Sequence, residues 1–156
     1  METAAYHEAG HAVIASILGG RVVSVSIESE SIEVDGDAVV AWSREDRTDQ
    51  ELALDEIRVG LAGPIAELVY TGDYDYLRIR EEHAVDWQIA LGCLRRLRLS
   101  TEREAGLLQR TVAELYQTIR QDNIWSSIAD VADLLAVHET IEGDVVRETV
   151  EFWLRR

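Results

Sequence analysis

The feature that most constrains this chain is a metal-binding pattern near its start, where His7, Glu8 and His11 follow the order His-Glu-x-x-His. Four residues of α-helix turn through about 400°, so the two histidines lie one above the other on nearly the same face. Imidazoles placed in this way can share one metal ion, and zinc is the usual occupant. Glu8 lies about 100° round the helix from His7, where it is no ligand but can take a proton from a water that the ion activates.

The residues around this pattern predict a buried helix that ends at the glycine pair Gly19 and Gly20. Its apolar positions are Ala5, Ala12, Ile14, Ile17 and Leu18. A buried helix that carries two histidines and a glutamate on one stripe is costly unless a metal ion satisfies them. The alternative is a chance match on an amphipathic helix.

Length and composition predict one domain over residues 1–156, with a catalytic half (1–98) and a helical half (99–156). The single cysteine, Cys93, excludes an internal disulfide and suits a reducing compartment, and we expect it on the buried side of a helix. No signal peptide precedes the first helix, and no apolar stretch approaches the roughly 20 residues of a membrane span. We therefore expect a cytoplasmic protein without a membrane segment.

The charge of the chain argues against one class of partner. The formal net charge is −15, and every basic residue is arginine. A phosphate backbone would be repelled by this field, so we expect no nucleic-acid partner. The one basic cluster, Arg95 to Arg98, is better explained as the cationic last turn of a helix.

Apolar spacing predicts a small sheet followed by helices. Strands are predicted over 21–27, 31–34 and 38–42, with a turn signal at 35–37. Helices are predicted over 51–69, 80–98, 101–119, 124–135 and 145–154. Pro64 predicts a kink or a restart within its helix, and Thr101 with Glu104 predicts a capping box. The expected fold class is α+β and mostly helical, with a small antiparallel sheet beside the metal helix and a C-terminal helical bundle.

A catalytic zinc ion needs a third protein ligand besides the two histidines. An extended zinc motif would place a histidine six residues after His11, but Ile17 stands there. The third ligand must therefore be distant in sequence. Spacing does not choose among the carboxylates of Glu67, Glu82 and Asp86 as the third ligand. The side chains of His83 and His138 are less favoured candidates.

Two of these candidates have other predicted roles. Glu67 is either an acceptor for an imidazole N–H or an ordinary residue of a helix surface. His83 lies one helical turn before Asp86, and it is either an exposed histidine or a donor to the oxyanion of the reaction. His138 is expected to be an exposed residue at a helix end.

Four motifs in the same order make the chain similar to the peptidase domain of FtsH, the membrane-anchored AAA+ zinc protease. Residues 6–13 resemble its active-site helix, and residues 61–67 look like its Leu-Gly-Gly-Arg-x-Ala-Glu helix. Residues 86–90 fall where the family has Asp-x-x-x-Ala, and residues 134–143 resemble its Leu-Leu-x-x-Glu-Thr-Leu-x-Gly. The resemblance implies a zincin-like fold, a zinc cofactor and Asp86 as the third zinc ligand.

The chain departs from that family at three points. Glu82, His83, Ala84 and Val85 stand where the family has Gly-Ala before the aspartate, and Gly63-Pro64 replaces Gly-Arg. The sequence also carries no ATPase module and no membrane segment. It is therefore either a free-standing relative or a fragment of a longer protein.

These features predict a zinc-dependent endopeptidase that hydrolyses unfolded or flexible polypeptides. Zinc is held by His7, His11 and Asp86, and Glu8 is the general base. Substrate is expected to lie extended along an edge strand of the small sheet. The sequence does not decide whether a separate AAA+ ATPase is a partner or whether the chain forms a homo-oligomer. The alternatives are a non-catalytic zinc-binding adaptor and a metallopeptidase with one regulatory substrate.

Overall fold

The computed structural model describes residues 2–28, 36–43, 45–73, 75 and 77–155. The predicted strand over 31–34 lies outside them. The described helices are α1 (Glu2–Ile17), α2 (Asp49–Thr71), α3 (Leu77–Glu82), α4 (Ala84–Arg95), α5 (Thr101–Ile119), α6 (Asp122–His138) and α7 (Gly143–Leu154). The described strands are β1 (Arg21–Ser26), β2 (Asp37–Ala41) and β3 (Thr140–Glu142). The fold class is α+β and mostly helical, as predicted.

The metal-pattern helix α1 is buried over most of its length, as its apolar spacing predicts. Every residue from Glu8 to Ala15 is buried, and α1 packs against α2 and α6. The helix ends before Gly19, whose φ of 86° is the left-handed conformation that glycine adopts without strain. The helix that carries the candidate ligands is therefore held on two sides.

The sheet has the order β2-β1-β3, and both pairings are antiparallel. The register of β1 with β2 shifts between Val22 and Ser24, so Val22 is buried whereas Val23 is exposed. The third strand, β3, was not predicted, because its three residues follow α6 without a break in the apolar pattern.

Helix α2 is one uninterrupted helix of 23 residues. The side chain of Thr48 accepts a hydrogen bond from the backbone N–H of Glu51, and the Glu51 carboxylate accepts one from the backbone N–H of Thr48. This capping box fixes where the helix starts. The predicted restart at Pro64 does not occur, since Pro64 is buried inside the continuous helix. Gly72 ends α2 in the left-handed conformation.

The prediction of one helix over 80–98 is wrong in one respect. Two helices, α3 and α4, form instead, and they are separated at His83. His83 has the non-helical dihedrals φ −123° and ψ 51°, and it stands at the N-cap of α4. The break places Asp86 in the first turn of a new helix. The capping box predicted from Thr101 and Glu104 does not form, since the N-cap of α5 is Ser100, whose side chain accepts from the backbone N–H of Arg103.

The C-terminal helices complete the core around α1 and α2. Helix α6 packs on α1, α5 packs on α2, and α7 packs on α6 and β1. Buried apolar side chains from all seven described helices and from β1 and β3 form one cluster. Cys93 is buried in α4, as expected. No helix in the described part of the chain has the length and apolar character that crossing a bilayer requires.

Candidate metal centre

Donor atoms of three residues from two distant parts of the chain converge at one point. His7 Nε2 and His11 Nε2 lie 3.1 Å apart on α1. The carboxylate of Asp86 in α4 approaches both rings, with Oδ2 at 2.8 Å from His7 Nε2 and Oδ1 at 3.4 Å from His11 Nε2. The structure therefore brings together the three residues that were predicted as zinc ligands.

The other ring nitrogen of each histidine is engaged by an acceptor, which fixes where the lone pairs point. His11 Nδ1 donates to the backbone carbonyl of Val59 at 2.6 Å, and His7 Nδ1 donates to Glu67 Oε2 at 3.0 Å. A carbonyl oxygen only accepts, so Nδ1 of His11 carries the proton. In the neutral imidazole the lone pair then belongs to Nε2, and this is the atom that faces Asp86.

These donors fit a small tetrahedral cation. Ligands that hold zinc at roughly 2.0–2.1 Å in a tetrahedron lie about 3.3 Å from one another. The three separations between donor atoms, 3.1, 2.8 and 3.4 Å, are close to this value. Two imidazoles and one carboxylate are also the ligand types of known catalytic zinc sites. His7, His11 and Asp86 could therefore hold zinc with one coordination position left for water.

The pKa values of this cluster show how strongly its members interact. Burial lowers the pKa of His7, but hydrogen bonds to Asp86 and Glu67 outweigh this effect and raise the pKa to about 10. Burial raises the pKa of Asp86, but hydrogen bonds from His11 and His7 hold it well below its usual range. Protons and a cation would compete for these donor atoms.

Glu8 lies beside the two histidines without joining their hydrogen bonds. Its side chain is buried, and its nearest carboxylate oxygen is within 4.8 Å of both imidazoles. Burial raises the pKa of Glu8, the positive charges of His11 and His7 lower it, and Asp86 and Asp37 raise it. The residue before Asp37 is a glycine, and a Cβ there would stand 2.8 Å from the Glu8 side chain. Glu8 therefore has the position and the environment of a general base.

Two features of α2 that shape the centre were missed by sequence reasoning. The Val59 carbonyl that fixes His11 belongs to the backbone, so the residue type at this position does not predict the contact. Gly63 makes room for a side chain, because a Cβ on Gly63 would overlap the His11 ring. The glycine itself was the available signal, and its partner became evident only in three dimensions.

The remaining candidates have different positions. Of the two alternatives for Glu67, the acceptor role is confirmed by its hydrogen bond to His7, and Glu67 Oε2 also lies 3.3 Å from His83 Nε2. His83 is half-buried beside His7, and burial lowers its pKa. Glu82 is exposed at the rim of the centre. His138 is exposed at the end of α6, as expected.

The centre opens into a cleft of about 870 Å³. Its lining includes residues of 36–42, which contain strand β2, and residues of 82–89, together with residues of α1 and α2. Within the described residues, β2 pairs with β1 on one side only, so it is an edge strand. An extended chain in this cleft could therefore pair with a free strand edge beside Glu8 and the two imidazoles.

Comparison with known proteins adds no identification. No protein-family model matches this chain, and no curated protein sequence matches it significantly. The function must therefore be argued from the geometry of the centre and its cleft.

Proposed function

We propose that this chain is a zinc-dependent endopeptidase. One observation carries the proposal: His7 Nε2, His11 Nε2 and the Asp86 carboxylate converge within 3.4 Å, while both Nδ1 atoms are engaged elsewhere. Electron-pair donors repel one another at such distances unless a proton or a cation lies between them. A buried carboxylate, Glu8, adjoins the same point and is free to handle protons.

In this proposal each residue has a defined task. Zinc, when bound, supplies a Lewis acid that polarises the scissile carbonyl and lowers the pKa of a water molecule. Glu8 takes the proton of that water and later gives it to the leaving amine. Glu67 and the Val59 carbonyl hold the two imidazole rings in the orientation that directs Nε2 to the cleft.

The cleft supports a peptide substrate over the two alternatives. An adaptor with a structural zinc site needs no cleft at the metal, whereas here the donors line one. A peptidase with one regulatory substrate favours a narrow, capped site. The edge of β2, with which no described strand pairs, favours binding through backbone hydrogen bonds. We therefore propose unfolded or flexible polypeptides, bound through their backbone, as substrates.

The proposal extends to the resemblance to the FtsH peptidase domain. The zinc ligands of that family correspond to His7, His11 and Asp86 of this chain, and its active-site helix corresponds to α1. A separate AAA+ ATPase that delivers unfolded substrates, and assembly into a homo-oligomer, belong to the same proposal. The ATPase partner is tested by mixing a candidate ATPase with this chain and measuring cleavage. The homo-oligomer is tested by measuring the mass of the chain in solution.

The test of the activity is zinc-dependent cleavage of an unfolded protein such as casein. We expect cleavage by the zinc-loaded protein, loss of activity with a chelator and recovery with added zinc. Glu8→Gln should retain zinc but lose about 10²–10⁴-fold in kcat, the usual contribution of a general base. Glu148→Gln, which changes an exposed carboxylate on α7, is the matched control and should cleave normally.

Elemental analysis separates the enzyme from its rivals. We expect one zinc per chain in the wild type and in Glu8→Gln, and much less in Asp86→Ala. Cleavage that survives both Glu8→Gln and chelation would contradict the peptidase. Stoichiometric zinc without any cleavage would favour the adaptor, and full zinc in Asp86→Ala would remove Asp86 from the centre.

A further inference from the structure

The cleft that opens from the metal centre is lined by an excess of acidic side chains. These carboxylates belong to Glu8, Asp37, Glu56, Glu67, Glu82 and Asp86. No arginine is among the described residues that line the cleft, and the chain contains no lysine. Carboxylates remain in excess even when a divalent cation and Arg96, the partner of Glu56, are counted against them.

Two of these carboxylates come from separate elements of the lining and have no cationic partner among the described residues. Asp37 begins strand β2, and Glu82 ends helix α3. Both are exposed. A chain lying along the edge of β2 in this cleft would meet negative charge from both elements.

The same cleft also exposes apolar side chains. Val85 and Ile89, which are four residues apart on α4 and share a face, are 46% and 53% exposed. Val40 and Trp42, which are half-buried, line the same cleft. Large apolar side chains exposed in a cleft mark a surface that a ligand covers. The walls therefore combine an apolar surface near the centre with negative charge at the rim.

We propose that the cleft selects extended polypeptide segments in which basic residues flank an apolar residue, and that it rejects acidic segments. This inference rests on the proposed function, because it takes a polypeptide as the occupant. The apolar residue lies between α4 and β2, and its basic neighbours lie beside Asp37 and Glu82. The net charge of −15 acts in the same direction at long range, so acidic chains are also repelled before they reach the cleft.

The test compares two fluorescent peptides that differ only in charge, each with a central leucine flanked by either arginines or glutamates. Binding is measured by anisotropy on zinc-loaded Glu8→Gln, so that affinity is read without turnover, and cleavage is measured on the wild type. We expect the arginine peptide to bind about tenfold or more tightly at low ionic strength. The preference should shrink as salt rises, because exposed charges are screened. Replacing the central leucine by serine should weaken binding.

The variants decide where the preference arises. Asp37→Asn combined with Glu82→Gln should reduce the ratio of the two affinities, whereas the control pair Glu114→Gln and Glu148→Gln should leave it unchanged. Equal affinities at low salt, or a ratio that the Asp37 and Glu82 changes do not move, would overturn the inference. Selective binding without cleavage by the wild type would support the inference and contradict the proposed peptidase. Cleavage of both peptides at equal rates, with equal affinities, would support the proposed peptidase and contradict the inference.

Discussion

At the scale of single residues, the centre depends on groups that hold the imidazoles as much as on the donors themselves. Glu67 Oε2 accepts the Nδ1 proton of His7 at 3.0 Å and also lies near His83. An acceptor at this position fixes the ring and increases the basicity of the nitrogen that faces the metal. Glu67 should therefore contribute to zinc affinity without touching the ion.

Replacing Glu67 by alanine tests this contribution. We expect zinc affinity to fall about 10–100-fold, the usual cost of losing such a partner. Glu67→Gln should lose less, because its amide oxygen still accepts the His7 proton. Affinity is measured by competition with a chromophoric chelator, and Glu148→Ala serves as the control. Wild-type affinity in Glu67→Ala would show that the hydrogen bond does not act on the metal.

Gly63 offers a second test at the residue scale. A Cβ at this position would overlap the His11 ring, so in Gly63→Ala either the ring or helix α2 must move. We expect zinc affinity to fall by at least about tenfold, because a ligand displaced from its position loses much of its bond. Gly106→Ala, on α5 with no atom within 4 Å of the added methyl, is the matched control and should bind zinc normally. Equal affinities for the two variants would contradict this account.

How much of the centre could be predicted follows from these residues. His7, Glu8 and His11 were predicted because helical spacing within one segment fixes their relative positions. Asp86 was not determined by spacing, since the path between residues 11 and 86 runs through a sheet and several helix ends. The Val59 carbonyl could not be predicted at all, because every residue carries one.

At the scale of elements, helix α2 is the support of the centre. Val59, Gly63 and Glu67 are four residues apart, so they occupy one face of α2, and all three contact the histidines of α1. The two helices approach closely at Gly10, where a Cβ would stand 2.6 Å from the Ala62 carbonyl oxygen. The small residue at position 10 therefore sets the distance between the helices.

Gly10→Ala should separate α1 from α2. We expect it to lower the free energy of unfolding by about 1–3 kcal/mol, the usual cost of overpacking a core. Gly92→Ala, in α4 with open space around the added methyl, should instead be neutral or stabilise the chain by about 0.5–1 kcal/mol. Urea denaturation of the two variants measures both values. A Gly10→Ala protein as stable as the wild type would show that the helices can move apart without cost.

The elements that could not be predicted are those fixed by tertiary contacts. The apolar pattern over 80–98 is continuous, yet the chain breaks at His83, where its side chain lies beside Glu67 and His7. Strand β3 has three residues and exists through its pairing with β1. Short elements of this kind carry too few residues for a period to be recognised. By contrast, α1, α5 and α6 were predicted closely because their apolar stripes are long.

At the scale of the whole molecule, zinc binding should be linked to folding. The donors come from α1 and α4, which the fold alone brings together, so zinc should bind the folded chain far more tightly than the unfolded one. At a free zinc concentration 100 times the dissociation constant, the expected stabilisation is about 2.7 kcal/mol. Protons compete for the same ligand atoms, so the increment should grow as pH rises and vanish in acid.

Thermal unfolding with and without zinc, at several pH values, measures this linkage. We expect a higher Tm with zinc at pH 8, a smaller increase at pH 6, and no increase in Asp86→Ala or with magnesium, a cation that prefers oxygen ligands. Asp130→Ala provides the control, because this carboxylate accepts from Trp153 far from the donors and its loss should leave the zinc increment intact. A Tm that zinc does not change in the wild type would mean that the converging imidazoles and carboxylate are held together by the proton alone. The catalytic proposal would then lose its foundation, although the fold would remain as described.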